Sequence, residues 1–248
     1  MKHEFNALLA PLPGGRVFGQ ERRPGFADCA PSGRMRLDAI AGWLQDIAYA
    51  DVEDAGLAQA AVWVVRRTRI RVRRWPRFGE RFGVSTFCSG LGRMWAERRT
   101  DVVLAGEADP LVEAVSLWVH LAPENWRPVP LTEDEIATYG GTVTERRISA
   151  RLRHGPPPEE TERDVWIFRL TECDIAAHVN NAAYWQPLEE ELLAGPEPAG
   201  IDVELEYRTP AQAGEKTVLR AGRRRWIAGI EGDVHASLVI GAQGADGV

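Results

Sequence analysis

The residue types best suited to chemistry gather in one segment, from Glu172 to Asn181. Within it the carboxyl group of Asp174 and the imidazole of His178 stand four positions apart, and the amides of Asn180 and Asn181 follow. A carboxylate and an imidazole close together are typical of sites that move protons during a reaction. The segment therefore predicts acid–base chemistry, provided that the surrounding elements bring these groups together.

An apolar run, Ala182 to Trp185, follows this segment and predicts the start of a helix. Free backbone amides and the positive end of the helix dipole would then converge beside His178, where they favour a developing oxyanion. The same dipole disfavours a charged imidazole, so His178 is expected to stay neutral and available as a base or hydrogen-bond partner. The alternative is that these residues only cap a helix, because Asn and Asp do so in many proteins without a catalytic role.

The first half of the chain predicts one helix followed by strands. Apolar residues recur at helical spacing from about Arg36 to Glu53, which indicates an amphipathic helix. Thr68 to Arg73 alternates between apolar and basic residues, as a half-buried strand does. Further strands are expected at Arg81–Phe87, Met94–Leu104 and Glu113–Leu121.

The same order returns after a proline-rich connection. A strand is expected at Val165–Leu170, a helix at Asn181–Leu193, and strands at Val203–Arg208, Thr217–Arg225 and Ile227–Ile240. Pro187 lies beyond the first turn of that helix, so a kink or an early break is expected there. Two copies of a long helix with an antiparallel sheet predict an α+β fold in which each sheet wraps around one helix. We place the units at residues 1–145 and 163–248, with a linker at 146–162.

Composition excludes several classes of protein. The 248 residues carry a net charge of −6, which gives no reason to expect nucleic acid as a partner. Cys29, Cys88 and Cys173 lack metal-like spacing and predict free thiols in a reducing compartment. Cys173 as a nucleophile is a minor alternative, because no base beside it is evident. No apolar stretch reaches membrane-spanning or signal-peptide length, so we expect a soluble, cytoplasmic protein without a metal or cofactor.

The pattern Asp174-x-x-x-His178-Val179-Asn180-Asn181, followed by Tyr184, resembles the active-site segment of hotdog-fold thioesterases. It is most similar to the acyl-acyl-carrier-protein thioesterases of fatty-acid synthesis. Four further segments agree with that family, namely Trp75–Glu80, Cys88–Arg99, Ser116–Val119 and Leu205–Arg208. The resemblance extends from about Gly33 to about Leu238.

This resemblance implies a tandem hotdog, in which two repeats form one pseudo-dimer. The segment Ser32–Asp38, which corresponds to the active-site segment in the first repeat, has no histidine, so one active site per chain is expected. The first repeat would line an acyl tunnel. Candidates for that lining are the aromatic residues Trp43, Trp63, Phe87, Trp95 and Trp118. The alternative is that these residues are ordinary core packing.

For catalysis the resemblance implies that Asp174 acts as general base toward water, or directly as nucleophile. His178 would orient Asp174 or the water. The amides at the helix start, with the Asn180 side chain, would hold the thioester oxygen, and Asn181 would cap the helix.

Three positions depart from the family pattern by lacking polar groups. Ala176 stands where an Asn is usual, and Pro210 and Ala211 stand where an acidic residue and often a cysteine are found. Glu172 and Glu206 are candidates for a substitute carboxylate.

Basic residues suggest a partner. Arg69, Arg71 and Arg73 lie on one face of the first long strand, and an acidic acyl carrier protein would be steered by such a face. The usual alternative is a solvated strand face.

Coenzyme A thioesters remain an alternative substrate, and a non-catalytic acyl-binding module an alternative function. The chain is expected to act as a pseudo-dimeric monomer or as a homodimer.

Overall fold

The computed structural model describes residues 11–58, 62–143 and 148–241. The boundary placed between residues 145 and 146 lies outside these ranges. The described strands form one antiparallel sheet of ten. They are β1 (Phe18–Arg22), β2 (Val62–Val72), β3 (Phe82–Leu91), β4 (Trp95–Leu104), β5 (Pro110–Leu121), β6 (Glu162–Phe168), β7 (Ile201–Tyr207), β8 (Gly214–Ala221), β9 (Arg224–Ala228) and β10 (Val234–Ile240).

The order of the strands repeats. Along the sheet it runs β1-β3-β4-β5-β2-β7-β10-β9-β8-β6. From the β1 edge inward the order is β1-β3-β4-β5-β2, and from the β6 edge inward it is β6-β8-β9-β10-β7. Each strand of the second half therefore occupies the position of its counterpart in the first. The halves meet where β2 pairs with β7, in a register that runs from Arg67 opposite Glu206 to Val72 opposite Ile201.

The first helix, α1 (Leu37–Asp54), confirms the prediction from apolar spacing. Its buried face includes Leu37, Ile40, Leu44 and Ile47. It packs against the 3-10 helix Asn181–Trp185 of the second half, and residues of both halves share one core cluster. Burial of such apolar side chains is the main contribution to the stability of this assembly.

The second helix differs from the predicted single helix at Asn181–Leu193. The segment starts as the 3-10 helix Asn181–Trp185 and continues as an α-helix, Gln186–Ala194. Pro187 falls in the first turn of that α-helix, where its missing amide hydrogen breaks no bond. The expected interruption therefore takes the form of a change in helix type. The helix Glu133–Tyr139, which is capped by Thr132, is α2, and the helix Gln186–Ala194 is α3.

The C-terminal strands were predicted with the wrong boundaries. The expected strand Thr217–Arg225 is divided into β8 and β9 by a turn at Gly222, whose φ is +54°. That conformation is easily reached by glycine because it has no Cβ. No helix in the described part of the chain is long and apolar enough to cross a lipid bilayer.

A buried ion pair links the two halves within the core. Arg34, which is 1% exposed, lies 2.8 Å from Glu189 of α3, which is 3% exposed. Glu189 also accepts a hydrogen bond from the backbone amide of Leu37, at the N-terminus of α1, at 3.0 Å. The guanidinium of Arg34 stacks over the ring of Trp75.

Replacing Glu189 by Ala is expected to lower the free energy of unfolding by about 3 kcal/mol, because Arg34 would keep its charge in the core without this carboxylate. Urea unfolding followed by tryptophan fluorescence measures the loss. The matched control is Glu107→Ala, which breaks an exposed pair with Arg74 and is expected to change stability by no more than about 0.5 kcal/mol. Equal losses in the two variants would contradict the assigned role of the buried pair.

Candidate active site

The segment that carries Asp174 and His178 forms a tight loop closed by its own backbone. The amide of Asp174 donates to the carbonyl of His178 at 3.0 Å, and the amide of Ala177 donates to the carbonyl of Asp174 at 2.9 Å. Ala177 has a φ of +59°, a conformation that costs energy for a residue with a Cβ. The loop is anchored at buried Val179, whose amide donates to the carbonyl of Ala211 at 2.9 Å. The position of the Asp174 backbone is thus fixed from several sides.

The carboxylate of Asp174 is held by two donors. Its Oδ1 accepts from the backbone amide of Ala176 at 2.9 Å, and its Oδ2 accepts from Nδ2 of Asn180 at 3.1 Å. The other side-chain atom of Asn180, Oδ1, accepts from the amide of Ala182 at 2.9 Å. Asn180 is therefore the residue that connects the carboxylate to the start of the helix.

The structure changes the roles expected for the two amides. Asn180 is the cap, whereas Asn181 was expected to be, and Nδ2 of Asn181 donates to Oε1 of Gln45 on α1 at 3.2 Å. Oδ1 of Asn180 is engaged by Ala182, and Nδ2 spends one of its two hydrogens on Asp174, which leaves one N–H for a thioester oxygen. Gln45 is a residue of the site that the sequence did not indicate, because it comes from the other half of the chain.

His178 lies on the same loop but does not touch the carboxylate. Among the described residues, no hydrogen bond or ion pair joins its imidazole to Asp174; the contact between the two residues is through the backbone. The expected partner of Asp174 is thus replaced by Asn180. The imidazole is half-buried, beside the start of the helix.

The first half contains a loop of the same backbone shape. The amide of Ala30 donates to the carbonyl of Arg34 at 2.8 Å, and the amide of Gly33 donates to the carbonyl of Ala30 at 2.8 Å. Met35, like Val179, donates its amide to a distant carbonyl, here that of Pro76 at 2.7 Å. Ala30 and Arg34 thus stand where the second half has Asp174 and His178. This loop has no carboxylate at the equivalent position.

Two tyrosines, the buried Tyr184 and the half-buried Tyr207, contact the segments around the candidate site. The hydroxyl of Tyr184 accepts from the amide of Ala211 at 2.8 Å. Burial raises the pKa of Tyr184 to about 12, against the effect of the Ala211 hydrogen bond and with a contribution from the charge of Asp174. Tyr207 donates to the carbonyl of Asn181 at 3.0 Å and accepts from Nε1 of Trp185 at 3.1 Å. Burial also raises the pKa of Tyr207.

A small cavity opens beside this helix start, between the helices and the sheet. Both halves line it, with Ala41, Leu44, Gln45, Val65, Thr68, Ser116 and Trp118 from the first and Asn181, Ala182, Trp185 and Tyr207 from the second. Of the tryptophans proposed to bind substrate, Trp118 lines this cavity. Trp43 instead packs edge-on against Phe82 in the core, and Nε1 of Trp95 donates to the carbonyl of Ile148.

The two acids considered as substitutes are occupied elsewhere. Glu206 is fully buried, and its carboxylate accepts the amides of Arg153 at 2.6 Å and His154 at 2.9 Å. Glu172 accepts the amide of Arg169. The carboxylates of Glu172 and Glu206 make no hydrogen bond to Asp174 or to the side chain of Asn180.

Three neighbouring side chains carry groups that can bind a metal ion. Ligand atoms of His154, Glu204 and Glu206 lie within 4.8 Å of one another. The ring nitrogens of His154 lie 3.0 Å from Oγ of Ser237 and 3.1 Å from a carboxylate oxygen of Glu204. These groups bond to each other and to the backbone, and they attach the segment around His154 to β7 and β10.

The arginines expected to bind a partner are paired with acids of adjacent strands. Arg69 and Arg71 both contact Asp202 of β7, at 2.6 Å and 3.1 Å, and Arg73 contacts Glu113 of β5 at 2.7 Å. Burial would raise the pKa of Asp202, but the hydrogen bonds and charges of Arg69 and Arg71 outweigh it, so its pKa is lowered. Arg73 is the most exposed of the three, with 57% of its side chain accessible.

Comparison with known proteins agrees with this architecture. A protein described as an oleoyl thioesterase from Lactobacillus plantarum superimposes with a TM-score of 0.74 at 19% identity, over 92% of this chain and 96% of that one. The 12:0-ACP thioesterase of Umbellularia californica gives a TM-score of 0.72 at 16% identity, over 90% and 96%. At these identities the likeness establishes the fold, which is the α+β hotdog fold of thioesterases.

Sequence similarity defines the family. Residues 16–139 match the model of the acyl-ACP thioesterase N-terminal domain. An uncharacterised protein of Mycobacterium tuberculosis is 30% identical over 217 residues, which is 86% of each chain. This chain belongs to the acyl-ACP thioesterase family, and it is a thioester hydrolase. The matched region of the family model ends before the segment that carries Asp174.

Replacing Tyr184 by Phe is expected to lower the free energy of unfolding by about 1–3 kcal/mol at neutral pH, because the buried amide of Ala211 loses its partner. In the wild type, the raised pKa of Tyr184 makes its unfolded form lose a proton before the folded form, so stability falls as pH rises above about 10. The Tyr184→Phe variant lacks the part of this pH dependence that comes from ionisation of Tyr184. Urea unfolding at neutral and alkaline pH measures both effects, and an unchanged pH dependence in the variant would contradict the assignment.

Proposed function

We propose that this chain is a tandem hotdog enzyme that hydrolyses fatty acyl thioesters carried on acyl carrier protein and releases the free fatty acid. The repeated strand order and the two loops of equal backbone shape support a division into units at residues 1–145 and 163–248, joined by 146–162. The family membership supports the substrate class.

One observation carries the assignment of the site. The carboxylate of Asp174 is held by Asn180 at the start of a helix, and the next two residues, Asn181 and Ala182, line a cavity that both halves build. A carboxylate, a helix N-terminus and an adjoining cavity are the parts that hydrolysis of a bound thioester requires.

In the proposed reaction Asp174 takes a proton from a water molecule, whose oxygen attacks the thioester carbonyl carbon. The carbonyl oxygen becomes an oxyanion, which the positive end of the helix stabilises. When the C–S bond breaks, the proton passes from Asp174 through a bridging water molecule to His178 and on to the thiolate sulfur, and the products are a carboxylic acid and a thiol. We assign Asp174 as base because both of its oxygens accept hydrogen bonds, which fix the group yet leave each oxygen a lone pair for a water proton.

Replacing Asp174 by Asn is expected to lower kcat about a thousandfold, because the amide cannot accept the proton. The measurement is release of free thiol from a long-chain acyl thioester. Asp109→Asn, the same change at an exposed turn, is the control and is expected to retain full activity. Full activity in Asp174→Asn would reject this residue as the base, and full activity in His178→Gln would reject the proton path.

Recognition of the carrier protein is tested at Arg73, the most exposed of the three arginines. Replacing Arg73 by Ala is expected to raise KM several-fold for acyl groups on the carrier protein, since an acidic carrier is attracted by this charge and salt would screen the effect. KM for the same acyl group on pantetheine should not change. Arg163→Ala, an exposed site on the edge strand β6, is the control. Equal effects on both substrates would contradict a role in carrier docking.

A further inference from the structure

The core face of the three central strands changes from apolar to polar along its length. One end is formed by buried aliphatic residues, namely Ile70, Val72, Val112, Ala114, Ile201 and Val203. At the other end the same face carries Thr68 on β2, Ser116 and Trp118 on β5, and Tyr207 on β7. All four of these polar residues line the cavity beside the candidate site. The wall that would face an acyl chain is therefore not a plain hydrocarbon surface.

Two hydroxyl groups lie buried next to each other on this wall. Thr68 is 5% exposed and Ser116 is 7% exposed, and their oxygens lie 3.1 Å apart. The pair has two hydroxyl hydrogens and shares one hydrogen bond, so one hydrogen is left over. Within the described residues it has no protein acceptor besides its partner.

Trp118 adds a second unused donor. Its indole Nε1 is buried and has no hydrogen-bond partner in the described part of the chain. Buried donors are nearly always paired, since an unpaired one has lost its bond to water without replacement. At Thr68, Val would fill almost the same volume and suit a strand well. The polar side chains are thus unfavourable here unless something in the cavity accepts their hydrogens.

We propose that this cavity, whose volume of about 10 Å³ suits a single water-sized group, receives the oxygen of an acyl group that carries a hydroxyl or a keto group, and that such substrates are preferred to a saturated chain. The oxygen accepts hydrogen bonds from Nε1 of Trp118 and from the Thr68–Ser116 pair. This inference rests on the proposed hydrolysis of acyl thioesters. It deepens that proposal, because Asn181 and Ala182 connect the cavity to the residue that holds Asp174.

The test compares acyl pantetheine thioesters of equal chain length, one saturated, one with a 3-hydroxyl and one with a 3-keto group. The wild type is expected to favour at least one oxygenated substrate in kcat/KM by about tenfold or more, because a site with buried donors rejects an analogue without the acceptor. The double variant Thr68→Val with Ser116→Ala, and Trp118→Phe separately, should reduce this preference and raise the relative rate of the saturated substrate.

The control variant is Thr100→Val, which makes the same change at another buried threonine, on β4 and outside the cavity lining. It should keep the substrate preference of the wild type. Equal or faster hydrolysis of the saturated substrate by the wild type would overturn this inference and leave the thioesterase function standing. A preference retained in both cavity variants would overturn the assignment of these donors. Hydrolysis of none of the three thioesters would overturn the proposed function and this inference with it.

Discussion

The pairing of β2 with β7 is the interaction on which the rest of the structure depends. It turns two five-stranded halves into one sheet and brings the helices of both halves into a single core. As a result α1 packs against the start of the second helix, and Gln45 of one half reaches Asn181 of the other. The cavity exists because of this contact, since its lining residues are divided between the halves.

The two halves use one backbone design for different purposes. Ala30 and Asp174 occupy equivalent positions in loops with the same hydrogen bonds, as do Arg34 and His178. In the first half the arginine is buried against Glu189 and joins the core, whereas in the second the loop carries a carboxylate beside a cavity. The difference lies in the side chains alone, so the shape of the loop does not by itself make a catalytic site.

Elements with a strong periodic pattern could be predicted from the sequence. The spacing of Leu37, Ile40 and Leu44 located α1 to within one residue at each end, because an amphipathic helix is determined by its own residues. The division between β8 and β9 was missed, since it depends on a single turn at Gly222 inside a continuous strand-like pattern.

Contacts between distant residues could not be predicted in the same way. The side chain of His178 was expected to act on Asp174, but the loop turns at Ala177 and directs the carbonyl of His178 toward the amide of Asp174 instead. The helical segment begins at Asn181 as expected, but the residue that caps it is Asn180 rather than Asn181. The partner of Arg69, Asp202, comes from β7, which no local pattern around the arginine indicates.

Among the tryptophans, sequence alone could not separate core from cavity. Trp43 and Trp118 are both aromatic residues on apolar faces, and only the packing of the two halves places Trp118 beside open space and Trp43 against Phe82. The type of a side chain determines which environment it prefers, whereas the position of a cavity depends on the packing of the whole chain.

Because both walls of the cavity belong to one polypeptide, its assembly does not require an encounter between separate molecules. A site built at the contact of two identical subunits is lost when dilution separates them, whereas covalent connection keeps the local concentration of each half high at any dilution. The residues of each wall can also differ, as Ala30 and Asp174 do at equivalent positions of the two loops, which identical subunits do not permit. The polar residues of the wall come from both halves, whereas the loop that carries Asp174 belongs to the second half alone.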